Sequence, residues 1–470
     1  CCIVHRGVAQ QLAEFRRVIL AEAHVKRSGA GQPHAVAAFA EIMGHRSDEA
    51  EPLAGLPHHI VAGGATAAAR ASRLSNALDI TIVERSPDVS YANCGMPYYL
   101  GREITDRSRL SLQTPASLAS NLHCTVLTRT EAISIDRAAK TVTVKDLATD
   151  RSRELPYDKL VLSPGASPIR PPVEGLEDKR IFTLRTLQDM DALDAQLQRP
   201  ACRRVAVVGA GFIGLEVAEQ LRRMGKEVHL VEREGSVLPQ ADADVSAALP
   251  AALAEQCVLL NLCQGLRRLE PSGAGLGVHI GEGQGAEQAL QVDLALLCVG
   301  VRPDSQIARA AGLALGPRGH ILVNPSMQTS DPSVYAVGDA VQARDLVFPA
   351  QPGTAALGNV ANMQARVAAD HLVLGDAAAP FRGSLGTAIV RVFEQALALT
   401  GWTERRLKAA QLPHRSVTVT AYDHASYFPG ALPVTLKITF DPQTGRLLGA
   451  QAAGAAAAGV DKRVDVLAAA

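Results

Sequence analysis

Cys94 stands in a setting that suits sulfur chemistry: SYANCGMPYYL, Ser90 to Leu100, with Asn93 and Gly95 beside it and Pro97 and two tyrosines behind. Disulfide exchange needs a thiolate, and a thiolate needs its pKa lowered by a helix N-terminus, a cation or an acceptor ring. A Gly/Pro-rich turn just past an acidic strand end suits that need. The alternative is a small buried hydrophobe, the ordinary place of a free cysteine. Eight cysteines in 470 residues are scattered without CxxC or metal-ligand spacing. That excludes a disulfide framework and a metal site, and favours a reducing, cytoplasmic setting.

Two glycine-rich turns flank this chemistry. In RRVAVVGAGFIGLEVAEQLRRMGKEVHLVERE, the strand Val205–Val208 feeds Gly209, Gly211 and Gly214, then an amphipathic helix, then a strand ending at Glu232. Strand, G-x-G-x-x-G, helix and closing acid together point to a nicotinamide dinucleotide. Glu232 would accept from ribose hydroxyls and repel a 2′-phosphate, favouring NADH, while Arg233 keeps NADPH open. A Rossmann core without a nucleotide is the plainer alternative.

The earlier turn, VAGGATAAARASRL, carries Gly63 and Gly64 into an Ala-rich helix, and DITIVE ends at Glu84 with Arg85 next. That is the second half of another dinucleotide fingerprint, with backbone to approach a pyrophosphate and a free helix N-terminus. Its first half is defective. LPHHI stands at Leu56 to Ile60 where an apolar strand belongs, and His59 and Ile60 occupy glycine places. His58 and His59 lack an acidic or cysteine partner, so a damaged strand explains them better than a metal site.

Around these lie the elements that must hold them. The alternating TVTVKDL reads as a sheet laid over the first lobe, and YDKLVLSPGA as a strand running into a tight turn at Ser163, Pro164, Gly165 and Ala166. LQTP opens a helix. ALLCVGVRPD, with Gly300, closes the second lobe. DPSVYAVGDA ends a strand at Gly338 and Asp339, where the acid is either a cofactor ligand or a helix N-cap. Asn359 to Asp370 reads as a helix. From Phe381 the strand-like TAIVRVF, HRSVTVTAY and VTLKITFD suggest a separate antiparallel domain, and GVDKRVDVLAAA a final helix.

Balanced charge, Lys+Arg 47 against Asp+Glu 47, gives no field favouring nucleic acid or an anionic membrane. No apolar run is long enough to span a bilayer. Near the start, Gln10 to Arg27 suits a helix, and the pair Cys1 and Cys2 has no partner residues at metal-ligand spacing.

Taken together, the two fingerprints, the cysteine between them, GVRP, the GDA turn and the β-rich end resemble the FAD-dependent pyridine nucleotide-disulfide oxidoreductases. The run Ser90-x-x-Asn93-Cys94-Gly95-x-Pro97-Tyr98-Tyr99 is similar to the coenzyme A-disulfide reductase and NADH-dependent persulfide reductase branch. The resemblance covers about 62–470. It implies FAD at the Gly63/Gly64 loop, Glu84 with Arg85, the Ser163–Ala166 turn, Gly338 and Asp339. For NAD(P)H it implies Gly209, Gly211, Gly214, Glu216, Glu232 and Gly300, with Phe212 covering the flavin until nicotinamide displaces it. It implies coenzyme A contacts at Thr66, Arg70, Arg73, Ser90 and Asn93. Arg70 and Arg73 lie one helical turn apart, able to pair with phosphates, although a solvated helix face would look the same. Tyr427, in HASYFPGA, resembles a tyrosine lent by the partner of a homodimer, with Phe428 where a second tyrosine often stands. Leu122 stands where some members carry a basic residue.

The expected architecture is therefore α/β. Residues 1–55 are an unassigned extension, 56–168 and 304–378 form the FAD-binding domain, 169–303 the NAD(P)-binding domain and 379–470 an incomplete C-terminal α+β dimerisation domain. The expected activity is NAD(P)H-driven reduction of coenzyme A disulfide or a related persulfide or polysulfide, with Cys94 held as a mixed disulfide and Tyr427 protonating the leaving thiolate. The rivals are an oxidase or peroxidase cycling Cys94 through sulfenic acid, and a nucleotide-binding remnant with a damaged FAD loop.

Overall fold

The structure is a computed structural model, and it describes residues 35–40, 62–283, 285–353 and 356–470. Two parallel five-stranded sheets and one antiparallel five-stranded sheet make up its three layered units.

In the first sheet the strands run in the order Val334–Ala336, Lys159–Ser163, Ala35–Ala40, Asp79–Val83, Thr125–Leu127, all parallel. The central strand is thus AVAAFA, from the stretch that sequence reading leaves unassigned. It is hydrogen-bonded on both sides, with Val36 opposite Ile80 and Lys159. The expected replacement at Leu56–Ile60, the helix at Gln10–Arg27 and the pair Cys1 and Cys2 lie outside the described residues. Helix Gly63–Leu74 returns the chain from the central strand toward Asp79–Val83, and its alanines pack against helix Gly358–Leu374 and the sheet. Such small side chains let two helices approach closely. The sheet Thr130–Asp136, Thr141–Asp146, Ser152–Pro156 covers the lobe, as the period-two pattern of TVTVKDL predicts.

The second sheet is ordered Ile181–Phe182, Leu294–Leu297, Arg204–Val208, Glu227–Val231, Val258–Asn261, again parallel. Its inner strands are continuous apolar runs because helices and a second sheet cover both faces. A two-stranded ribbon, Ala166–Pro168 with Val301–Pro303, ties the lobes together.

The third sheet is antiparallel: Ala388–Val392, Gln395–Gly401, Leu447–Ala455, Pro433–Phe440, Arg415–Tyr422. Helix Val460–Ala469 packs on it through Val460 and Val464. The sheet is clamped to the second lobe at two places. The Phe393 N–H donates to Glu219 Oε2 at 2.7 Å. The nearly buried Lys437 ammonium reaches Asp244 at 2.9 Å, Glu404 at 2.7 Å and Asp242 at 3.2 Å.

Candidate active site

In a doubly wound sheet, ligands bind at the carboxyl ends of the strands, where the strand order reverses. Both lobes turn those ends toward one continuous cavity of about 1530 Å³. That exceeds the roughly 300–1,000 Å³ of a pocket for one drug-sized ligand.

On the second lobe, Gly209 takes φ +105°, and a Cβ there would strike the Cys298 carbonyl. A Cβ on Gly214 would strike the Gly209 carbonyl, so this third glycine is what lets the helix Phe212–Arg223 meet its strand. Glu232 is buried and holds the loop: its carboxylate accepts from the Ala210 N–H at 2.8 Å and the Glu234 N–H at 2.9 Å. Gly209, Gly211, Phe212, Glu216, Glu232 and Gly300 all line the cavity.

On the first lobe, Ser163 packs against Gly63, whose Cβ would also come within 2.8 Å of Val337. Gly338 takes φ +82° and donates its N–H to Gln364 Oε1 at 2.8 Å. This fixes the turn that aims Asp339 into the cavity. A Cβ at Gly63 is thus excluded by Ser163 and Val337, whereas one at Gly338 would meet only ordinary contacts; Gly63, Gly338 and Ser163 are not among the cavity-lining residues, and Ser163 opens the turn at its strand end. Pro164 and Gly165 complete its turn, and Ala166 lines the cavity. Glu84 is buried at its strand end and accepts from the Ser86 N–H at 2.7 Å, while Arg85 pairs with Glu131 at 3.7 Å. Neither is among the cavity-lining residues.

Cys94 lies in a short 3-10 turn, Asn93–Gly95, that runs into the helix Met96–Leu100 with Pro97 in its first turn. The thiol is half-buried, free, and lines the cavity together with Asn93. Asn93 Nδ2 donates to the Arg185 carbonyl at 3.2 Å. The surroundings oppose a thiolate. Burial pushes the Cys94 thiol up to about 12, and the carboxylates of Glu216 and Asp339 add to the shift. Burial likewise pushes Glu216 up to about 7, against the hydrogen bond it accepts from Tyr98 Oη at 3.2 Å. It pushes Asp339 up to about 6, against the nearby Arg185. Among the described residues the groups around the thiol thus raise its pKa, against the lowering expected for a thiolate.

The outer end of the cavity is cationic. Thr66, Arg70 and Arg73 line it from helix Gly63–Leu74, facing Asn362 and Arg366 on helix Gly358–Leu374. Thr66 Oγ1 donates to Asn362 at 2.5 Å and Arg70 pairs with Asp370 at 2.6 Å. Burial, then Arg70 and Arg366, lower the Arg73 pKa. Ser90 is buried behind Asn93 and is not among the lining residues. Leu122 is buried in the first lobe's core, and as a leucine it brings no charge to the cavity. Tyr427 is 88% exposed, Phe428 is exposed beside it, and neither lines the cavity.

Sequence reading misses Arg185, Gln364 and Arg366. Each comes from a segment with no motif of its own; only Arg366 leaves a trace, as a cation within an apolar helical pattern.

Comparison with known proteins agrees with this arrangement. The pyridine nucleotide-disulphide oxidoreductase family matches residues 61–370. Coenzyme A disulfide reductase of Staphylococcus haemolyticus is 34% identical over 412 residues, covering 87% of this chain and 89% of that protein. Among solved structures, reduced Bacillus anthracis CoADR-RHD aligns with TM-score 0.85 at 37% identity, over 94% of this chain and 74% of its own. An NAD-dependent persulfide reductase from A. fulgidus aligns with TM-score 0.83 at 31% identity, over 93% and 76%.

Proposed function

The chain belongs to the pyridine nucleotide-disulphide oxidoreductase family, and from that premise we propose that it reduces coenzyme A disulfide, or a related persulfide, through Cys94. It is an enzyme of the flavoprotein disulfide reductase class, whose cofactors are FAD and NAD(P)H. Gly63, Ser163, Gly338 and Asp339, of which Asp339 lines the cavity, would hold FAD, and Gly209, Gly211, Phe212 and Glu232, which all line it, the nicotinamide nucleotide. Glu232 favours NADH over NADPH. Held there, FAD would supply the two-electron relay between NAD(P)H and sulfur.

The observation that carries the reading is that Cys94 shares one cavity with Ala166 and Asp339 of the first lobe, with Gly209, Gly211, Phe212 and Glu232 of the second, and with the arginines of the outer end. The Cys94 thiolate attacks one sulfur of the substrate disulfide; one S–S bond breaks as another forms, and the departing thiolate takes a proton. Tyr427 of a second copy of the chain supplies that proton, in a homodimer. Asn93 fixes the turn that presents the sulfur. The scattered cysteine spacing is the ground on which we place the enzyme in a reducing, cytoplasmic setting. No helix among the described residues is long and apolar enough to cross a membrane.

The test is Cys94→Ser in the flavin-loaded enzyme. NADH should still bleach the flavin, while turnover of coenzyme A disulfide falls ~10³-fold or more. Unchanged turnover, or NADH oxidation by peroxide at a higher kcat/KM than by any disulfide or persulfide, overturns the reading.

A further inference from the structure

We propose that Tyr98 and Arg391 are positioning residues for the redox centre: Arg391 on the antiparallel sheet supports the Tyr98 ring, Tyr98 holds the Glu216 carboxyl at the cavity wall, and Glu216 tunes the reactivity of Cys94. Three units meet in this chain of contacts. Tyr98 belongs to helix Met96–Leu100 of the first lobe, Glu216 to helix Phe212–Arg223 of the second, and Arg391 to strand Ala388–Val392 of the third. Tyr98 Oη donates to Glu216 Oε1 at 3.2 Å, and the Arg391 guanidinium lies over the same ring, 5.8 Å from its centroid. Cys94 and Glu216 line the cavity, whereas Tyr98 and Arg391 do not.

Charged neighbours fix Arg391 in turn. Its Nη2 reaches Glu103 at 2.8 Å and Glu219 at 3.6 Å. Arg223 joins the same two carboxylates, at 3.5 Å and 3.0 Å, and Gln220 Nε2 donates to Glu103 at 3.3 Å. Two acids and two cations balance, so this cluster would clamp the sheet to the second lobe without any help from the Tyr98 hydroxyl. That hydroxyl is spent instead on Glu216, whose charge reaches Cys94. Burial raises the Glu216 pKa and the charge of Glu219 adds to it, while the bond from Tyr98 and the charge of Arg391 oppose both. Tyr98 and Arg391 therefore favour the ionised carboxyl, the form that disfavours a Cys94 thiolate.

The experiment follows alkylation of Cys94 by iodoacetamide against pH, in holoenzyme reduced with dithiothreitol and desalted, reading the Cys94 peptide by mass spectrometry. The wild-type rate should show a step where Glu216 ionises, absent from Glu216→Gln. Tyr98→Phe removes one oxygen and keeps the ring; it should move that step upward by about half a pH unit or more. Arg391→Met should move it the same way, and Arg391→Lys should recover part of the shift. In the Glu216→Gln background neither Tyr98→Phe nor Arg391→Met should alter the profile, a dependence that a structural clamp alone would not produce. A step unmoved in either variant, effects that persist in the Glu216→Gln background, or a wild type without a step overturns the inference. No disulfide substrate enters the measurement, so its failure is separate from a failure of the coenzyme A reading.

Discussion

The carboxylate of Glu216 and the thiol of Cys94 share a wall of the cavity, and the first acts on the second. A negative charge at Glu216 raises the Cys94 pKa, so Glu216→Gln should lower it. Alkylation of the flavin-free protein by iodoacetamide, followed against pH, should show its midpoint move to lower pH in the variant; an unmoved or raised midpoint would refute the coupling. The same residue carries a stability consequence. Its folded pKa, about 7, exceeds its ordinary value of 4.5. The folded protein therefore holds a proton that the unfolded chain releases between those values, and stability falls as pH rises through that window. Glu216→Gln should stabilise by on the order of 1–3 kcal/mol at pH 8 and by much less at pH 5, as denaturant melts would read. Cys94 and the second glycine loop were legible in sequence because each sits in a local pattern that dictates its own geometry. Arg185 and Arg366 were not, since their roles arise only where separate segments of chain meet.

At the scale of elements, Lys437 holds the antiparallel sheet to the second lobe through Asp242 and Asp244, and Glu404, from a helix of the sheet's own unit, completes the cluster. Removing one partner of a buried ionic cluster leaves the others uncompensated, so Lys437→Met should cost ~3–5 kcal/mol in urea unfolding. The Glu404 carboxyl is held down to about 2 by Lys408 and Lys437. Its contribution is present above its ordinary pKa of 4.5 and is lost as pH falls toward 2. Strand and helix types were readable wherever periodicity was strong, as at Thr141–Asp146 and Gly358–Leu374. The central strand of the first lobe was not. AVAAFA is short, apolar throughout and far in sequence from Gly63, and an apolar run of that length does not distinguish strand from helix.

For the molecule as a whole, Tyr427 is exposed and lies outside the cavity that Cys94 lines in the same chain, and the edge strand Arg415–Tyr422 exposes Val417, Val419 and Tyr422. Exposed apolar edges invite pairing with a second copy. If Tyr427 crosses to the other subunit, a hybrid of Cys94→Ser and Tyr427→Phe chains contains one intact centre. An equal mixture, refolded together, should regain about a quarter of wild-type turnover, because half the dimers are hybrids with one working site each. Activity no greater than the sum of the separate variants would rule out sharing.

The six residues Ala35–Ala40 are the seam along which the first lobe is sewn. Strands Asp79–Val83 and Thr125–Leu127 lie on one side, Lys159–Ser163 and Val334–Ala336 on the other, and these flanks meet in the sheet only through that strip. A chain shortened past residue 40 would present two raw margins where the strip had been. Flavin affinity would then report on a slender upstream segment that touches none of the sulfur chemistry.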